Sequence, residues 1–167
     1  QSEITSWTSS GTVMIVENGA AGSAWGGFDS GLGQYYLGMT KDSYVEQTVT
    51  GLTPGQYYWV GYSCGAYETS LLQTPLARSK VYVDGTLRLS SLASVNGFEP
   101  KLAGFKAETD SATIRITNGS PTEEYTVLVD YVYVTDGDPK IINADFENQV
   151  IDGQWEYLPA IEGWTSV

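Results

Sequence analysis

Apolar and polar residues alternate with a period of two along most of this 167-residue chain. Ser43 to Thr50 reads SYVEQTVT, with Val45, Gln47 and Val49 on one face and Tyr44, Glu46 and Thr48 on the other. Turn chemistry follows in Gly51-Leu52-Thr53-Pro54-Gly55. Gln56 to Cys64, QYYWVGYSC, then places Tyr58, Val60, Tyr62 and Cys64 together and Tyr57, Trp59, Gly61 and Ser63 opposite them. The same pattern predicts strands over residues 79–85, 102–108, 111–118 and 124–134. Asp84-Gly85 marks a hairpin between SKVYV and TLRLSS. No window of a dozen residues keeps a helical period. Short strands parted by Gly, Pro and Asn turns predict an all-β chain, one antiparallel sandwich.

Two stretches break the alternation. Residues 64–79 are polar without a period, and residues 17–34 are glycine-rich and hold Trp25 and Phe28. Long loops that carry aromatics either serve function or tuck those rings back onto the core. The sequence leaves both readings open.

Composition narrows the range of partners. Hydrophobic residues make up 41%, enough for a full core, while only 17% are charged. With 19 Gly, 12 Tyr and 5 Trp, the chain suits a turn-rich β protein with an aromatic, uncharged surface. The net charge of −12 repels polyanions, which argues against nucleic acid and anionic membranes as partners. No apolar run reaches the roughly 20 residues that cross a bilayer. The chain starts at Gln1 without a signal-like segment, so any such segment is expected to have been removed or to lie outside this sequence. Cys64 is the single cysteine, which rules out an intrachain disulfide. Asn118-Gly119-Ser120 is a glycosylation sequon, followed by Pro121.

Catalysis finds little support. Without histidine, the usual general base and the Ser-His and Cys-His pairs are absent. Cys64 has core parity and reads as a small buried hydrophobe. A glycosidase needs two carboxylates, but no spacing among the 20 acidic residues singles out a pair. The chain is not expected to be an enzyme.

Aromatic recognition is the stronger candidate. A flat ring covers the C–H face of a sugar while polar side chains read its hydroxyl rim. Tyr57 and Trp59 stand on the face opposite Tyr58, Val60 and Tyr62, so one core cannot bury both sets. Tyr82 is out of phase with Val81 and Val83, and Tyr67 and Trp25 lie in the unpatterned stretches. Arg78 and Arg115 offer hydroxyl donors, with surface ion pairing as their default role. Each of these aromatics has burial under a loop as its alternative.

Segment order adds a resemblance. GQYYLGM, YVEQTVTGLTPGQYYWVGYS, SKVYVDG, FKAETDSATIRITN and VLVDYVYV follow one another in a manner similar to galactose-binding-like jelly-roll modules. Carbohydrate-binding modules of the family 4/9/22 group are the members most resembled. The middle motif is Gln47 to Tyr58 and the closing motif is Val129-Asp130-Tyr131-Val132-Tyr133-Val134. The opening motif, Asn143 to Glu147 through Gly163-Trp164, comes last instead of first.

That inverted order implies a tandem array or a circular permutation, with residues 139–167 acting as the opening of a module and 1–167 forming one sandwich. Residues 141–147 are then expected to fill a strand site beside the final β segment, within the chain or by exchange with a neighbour. The resemblance implies a structural Ca²⁺ held by Asp130, Glu147 and Asp145. Residues 135–139, TDGDP, read as a linker turn.

It further implies a concave groove on the non-core face, with Trp59 as a candidate platform and Tyr57 and Tyr82 beside it; Trp25 and Tyr67 are candidates for a site at the loop tips instead, and Arg78 for a hydroxyl donor. The implied function is non-catalytic binding of a polysaccharide or glycoprotein glycan, outside the cell or at its surface. The alternative is a structural or adhesive extracellular repeat that associates through its C-terminal strand with neighbouring repeats.

Overall fold

A computed structural model describes residues 7–19, 28–31, 33–68 and 76–136, and the backbone of 155–156. The described elements are β1 (Thr8–Ser10), β2 (Val13–Glu17), β3 (Tyr35–Met39), β4 (Tyr44–Thr50), β5 (Tyr57–Glu68) and β6 (Arg78–Val83). They continue with β7 (Thr86–Leu92), β8 (Glu99–Lys106), β9 (Ser111–Asn118), β10 (Tyr125–Thr135) and β11 (Trp155–Glu156). They form a five-stranded sheet in the order β1-β4-β9-β6-β7 and a six-stranded sheet in the order β11-β2-β3-β10-β5-β8. All these strand pairings are antiparallel, and the two sheets make a β-sandwich of the jelly-roll class.

The alternation read from the sequence becomes the two inner faces. Val45 and Val49 of β4, Val81 and Val83 of β6 and Ile114 and Ile116 of β9 meet Tyr58, Val60, Tyr62 and Cys64 of β5. Trp7, just before β1, is fully buried in the same core. Two polar contacts tie the layers together. The Tyr62 and Ser79 hydroxyls pair at 2.8 Å in the interior. The Asn118 amide, fully buried at the end of β9, donates to Met39 O at 2.8 Å and Tyr125 O at 2.9 Å. Its Oδ1 accepts from Ser120 N at 2.9 Å. The sequon asparagine is therefore an internal clamp, closed to glycan attachment in the folded chain.

Local rules account for the turns. Asp84 and Gly85 both have positive φ, 49° and 74°, the twist of a tight hairpin turn matched to right-handed strands. In β10 the register against β5 slips by one residue between Asp130 and Tyr133, and Tyr131 takes φ 49°. This bulge lets Val127, Val129, Val132 and Val134 all enter the core.

Several expectations change in detail. β5 runs on to Glu68 and so shortens the unpatterned stretch that began at residue 64. Strands β2 and β3 lie at the edges of the glycine-rich stretch, where Asn18 binds Ser30 and Gly33 O and so closes its base. Residues 141–147, expected beside the final strand, lie outside the described residues. Trp155 and Glu156 pair with Val16 and Ile15 of β2, at the edge of the six-stranded sheet.

Replacing Asn118 with Asp keeps the acceptor but removes both donors and sets a carboxylate against two buried carbonyls. Urea denaturation should show a loss of about 2–5 kcal/mol, the cost of stranding such groups. A change below about 1 kcal/mol would contradict the clamp.

Candidate functional site

Outward residues of the five-stranded sheet form a cavity of about 500 Å³ lined by Asp42, Tyr44, Glu46, Tyr82, Gly85, Thr113, Arg115 and Thr117. Strand register builds it. Glu46 pairs with Arg115, and Arg115 with Tyr82, so these three side chains stand in one row across β4, β9 and β6. One row along, Tyr44 faces Thr117, and the Arg115 guanidinium lies 4.1 Å from the Tyr44 ring centroid. Arg115 Nε donates to Glu46 Oε2 at 2.6 Å. That hydrogen bond holds the guanidinium still more firmly in its charged form. Its two Nη groups bind no protein acceptor among the described residues, and they supply donors to the cavity.

The outer face of the six-stranded sheet is different in kind. Trp59 lies over Gly104, where an added Cβ would come within 2.9 Å of its ring. Tyr133 lies over Gly61 in the same way, and Tyr131 meets Tyr133 edge-on at 5.6 Å. With Tyr57 69% and Trp59 48% exposed, beside exposed Leu102, these rings make an uncharged aromatic platform. Lys106 stands at its margin, 6.0 Å from the Tyr57 ring.

Tyr57 and Trp59 are thus outward and accessible, as parity predicts. Tyr82 is outward too, but it belongs to the other sheet, so the expected Trp59–Tyr82 pairing does not occur. The reason is topological, since β5 and β6 follow one another in sequence yet sit in opposite layers. Arg78 shares the Tyr82 face but binds Ser90 Oγ at 3.2 Å and does not line the cavity. Tyr67 shares the Trp59 face, eight residues along β5 and about 26 Å away. Trp25 lies outside the described residues. Tyr44 and Glu46 were missed as site residues, although their outward parity on SYVEQTVT was legible.

Of the expected calcium ligands, Glu147 and Asp145 lie outside the described residues. Asp130 is fully buried on the outward side of β10, and its Oδ1 accepts from Tyr131 N at 2.7 Å. Nearby, burial pushes the Tyr36 phenol up to about 12, and the Asp130 charge adds to the shift. No group of three or more Asp, Glu or Cys side chains comes together among the described residues. Calcium takes six to eight oxygen ligands, so Asp130 alone does not make its site.

A family profile described as "Protein of unknown function (DUF642)" matches residues 1–135. The chain belongs to the DUF642 family. Comparison of the DUF642 chain with curated protein sequences finds no match. Solved structures share its fold. The CBM22-1 xylan-binding domain from Paenibacillus barcinonensis Xyn10C superposes with TM-score 0.51 at 10% identity, covering 80% of this chain and 87% of that one. A family 35 carbohydrate binding module from Clostridium thermocellum gives 0.52 at 14%, covering 78% and 92%. The CBM22-1–GH10 modules of Clostridium thermocellum xylanase 10B, complexed with xylohexaose, give 0.54 at 15%. There the match covers 81% of the DUF642 chain but 27% of the longer protein.

Cys64 is fully buried, and burial pushes its thiol up to about 11. A thiol-reactive dye at pH 8 should leave the folded protein unlabelled and label one site per chain in denaturant. Fast labelling of the native protein would refute the buried assignment.

Proposed function

We propose that this DUF642 domain is a non-catalytic glycan-binding module whose principal site is the groove on the five-stranded sheet. One observation carries the reading: a cavity about 500 Å³ in volume brings Tyr82 and the Arg115–Glu46 pair together in one row. Tyr82 offers a ring for a sugar's C–H face, Arg115 offers donors, and Glu46 offers an acceptor. The resemblance in fold to carbohydrate-binding modules supports this reading. So does the net charge of −12, which a neutral glycan tolerates and a polyanion does not.

The platform of Tyr57 and Trp59 is a second contact surface in this proposal, on the opposite side of the sandwich. We place the action of the module outside the cell, on polysaccharide or glycoprotein glycans. The runner-up is an adhesive repeat that associates with neighbouring repeats through its C-terminal strand. Absence of glycan binding together with concentration-dependent self-association would select it.

A glycan array followed by titration calorimetry tests the site. Tyr82→Ala and Arg115→Ala should each weaken binding about tenfold or more, the cost of a lost hydrogen bond to a charged group or of a comparable ring contact. Melting should change little, since this half-buried surface pair contributes about 1 kcal/mol. Trp59→Ala should leave binding of short oligosaccharides intact. If Trp59→Ala abolishes that binding while Arg115→Ala does not, the site is the platform instead.

A structural Ca²⁺ held by Asp130, Glu147 and Asp145 also stands as a proposal. A ligand bound only to the folded state raises its stability, so chelation should lower the melting temperature. An unchanged melt would remove the ion.

A further inference from the structure

Among the described residues, Arg115 is the one cationic side chain lining the groove, and Glu46 sits directly against it. We propose that Glu46 determines specificity: by pairing with Arg115 it closes the groove to carboxylate-bearing sugars and reserves it for neutral, hydroxyl-rich ones. This inference rests on the glycan reading above and deepens it.

Charge is the first ground. The lining carries Asp42 and Glu46 against Arg115, so the carboxylates outnumber the cation. Lys41 approaches Asp42 at 3.4 Å but does not line the cavity. Lys80 stands one row away with its stem laid along Gly119, and it too is absent from the lining. A sugar carboxylate drawn to Arg115 therefore also meets the charge of Glu46, which is paired with it. The Glu46 side chain is only 23% exposed, so solvent screens that repulsion incompletely.

Hydrogen-bond chemistry is the second ground. Arg115 lines the cavity and uses Nε on Glu46 Oε2, which leaves its Nη donors without an acceptor among the described residues. Glu46 Oε1 accepts no hydrogen bond among the described residues. The ligand that fits both must accept from Arg115 and donate to Glu46. Adjacent sugar hydroxyls do both, whereas a carboxylate can only accept. Tyr82, beside Arg115 in the same row, then covers the ring face.

The arrangement is also built to stay in place. Glu46 and Arg115 are direct cross-strand partners, and Tyr44 supports the guanidinium from beneath. Glu46→Gln keeps an acceptor for Arg115 Nε while it removes the charge and turns the other oxygen into an amide donor, so the ratio of uronate to neutral binding is the informative reading.

Calorimetry at low salt should compare neutral β-linked xylo-, gluco- and galacto-oligosaccharides with oligogalacturonate and glucuronate-bearing oligosaccharides. The wild type should bind a member of the neutral set and bind the uronates at least about tenfold more weakly. Glu46→Gln should raise uronate binding relative to neutral binding by about tenfold. Added salt should shrink the uronate gain, since the effect is electrostatic. Wild-type binding of uronates as tight as that of neutral sugars overturns the inference but spares the glycan reading. So does an unaltered ratio in Glu46→Gln. Failure of every saccharide to bind overturns both.

Discussion

The side-chain amide of Asn118 holds the two layers of this sandwich in register. Its two donors reach carbonyls on β3 and β10 of one sheet from the end of β9 in the other. Apolar burial drives the layers together but has no direction, so it does not choose among nearby registers. A buried amide that must satisfy fixed partners does choose. With β9 placed by Asn118, alternation then turns Thr113, Arg115 and Thr117 outward as one line. The groove is in this sense a consequence of the clamp.

The two outer faces have different chemistry because different residues oppose the core on each sheet. On the five-stranded side, an ion pair and two tyrosines surround a concave space. On the six-stranded side, glycines at 61 and 104 leave room for Tyr133 and Trp59 to lie flat on the sheet. Any larger residue beneath them would lift the rings. A recessed polar groove suits one chain with hydroxyls to read, and a flat platform suits broad apolar contact. The sandwich keeps these surfaces apart on opposite sides of one core.

Much of the fold was legible because alternation is a local property. The strands SYVEQTVT, QYYWVGYSC and SATIRITN carry their inward and outward faces in residue order alone, and the structure keeps those faces. The Asp84-Gly85 turn was equally local, since its backbone needs residues that accept positive φ. Extension of β5 to Glu68 was not legible, because its last residues are held by β10 more than by their own propensity. Nor was the β10 bulge, which one extra residue creates only against a fixed partner strand.

The candidate site divides along the same line. Residue order by itself determined that Tyr57, Trp59 and Tyr82 oppose a core face, and composition fixed a charge of −12 with no histidine. Only the tertiary structure decided which of them share a surface. It parted Trp59 from Tyr82 by sending β5 and β6 to different sheets, and it set Glu46 against Arg115 through the β4–β9 register. Parity follows from the geometry of one strand, whereas neighbourhood depends on pairings between residues far apart in the chain.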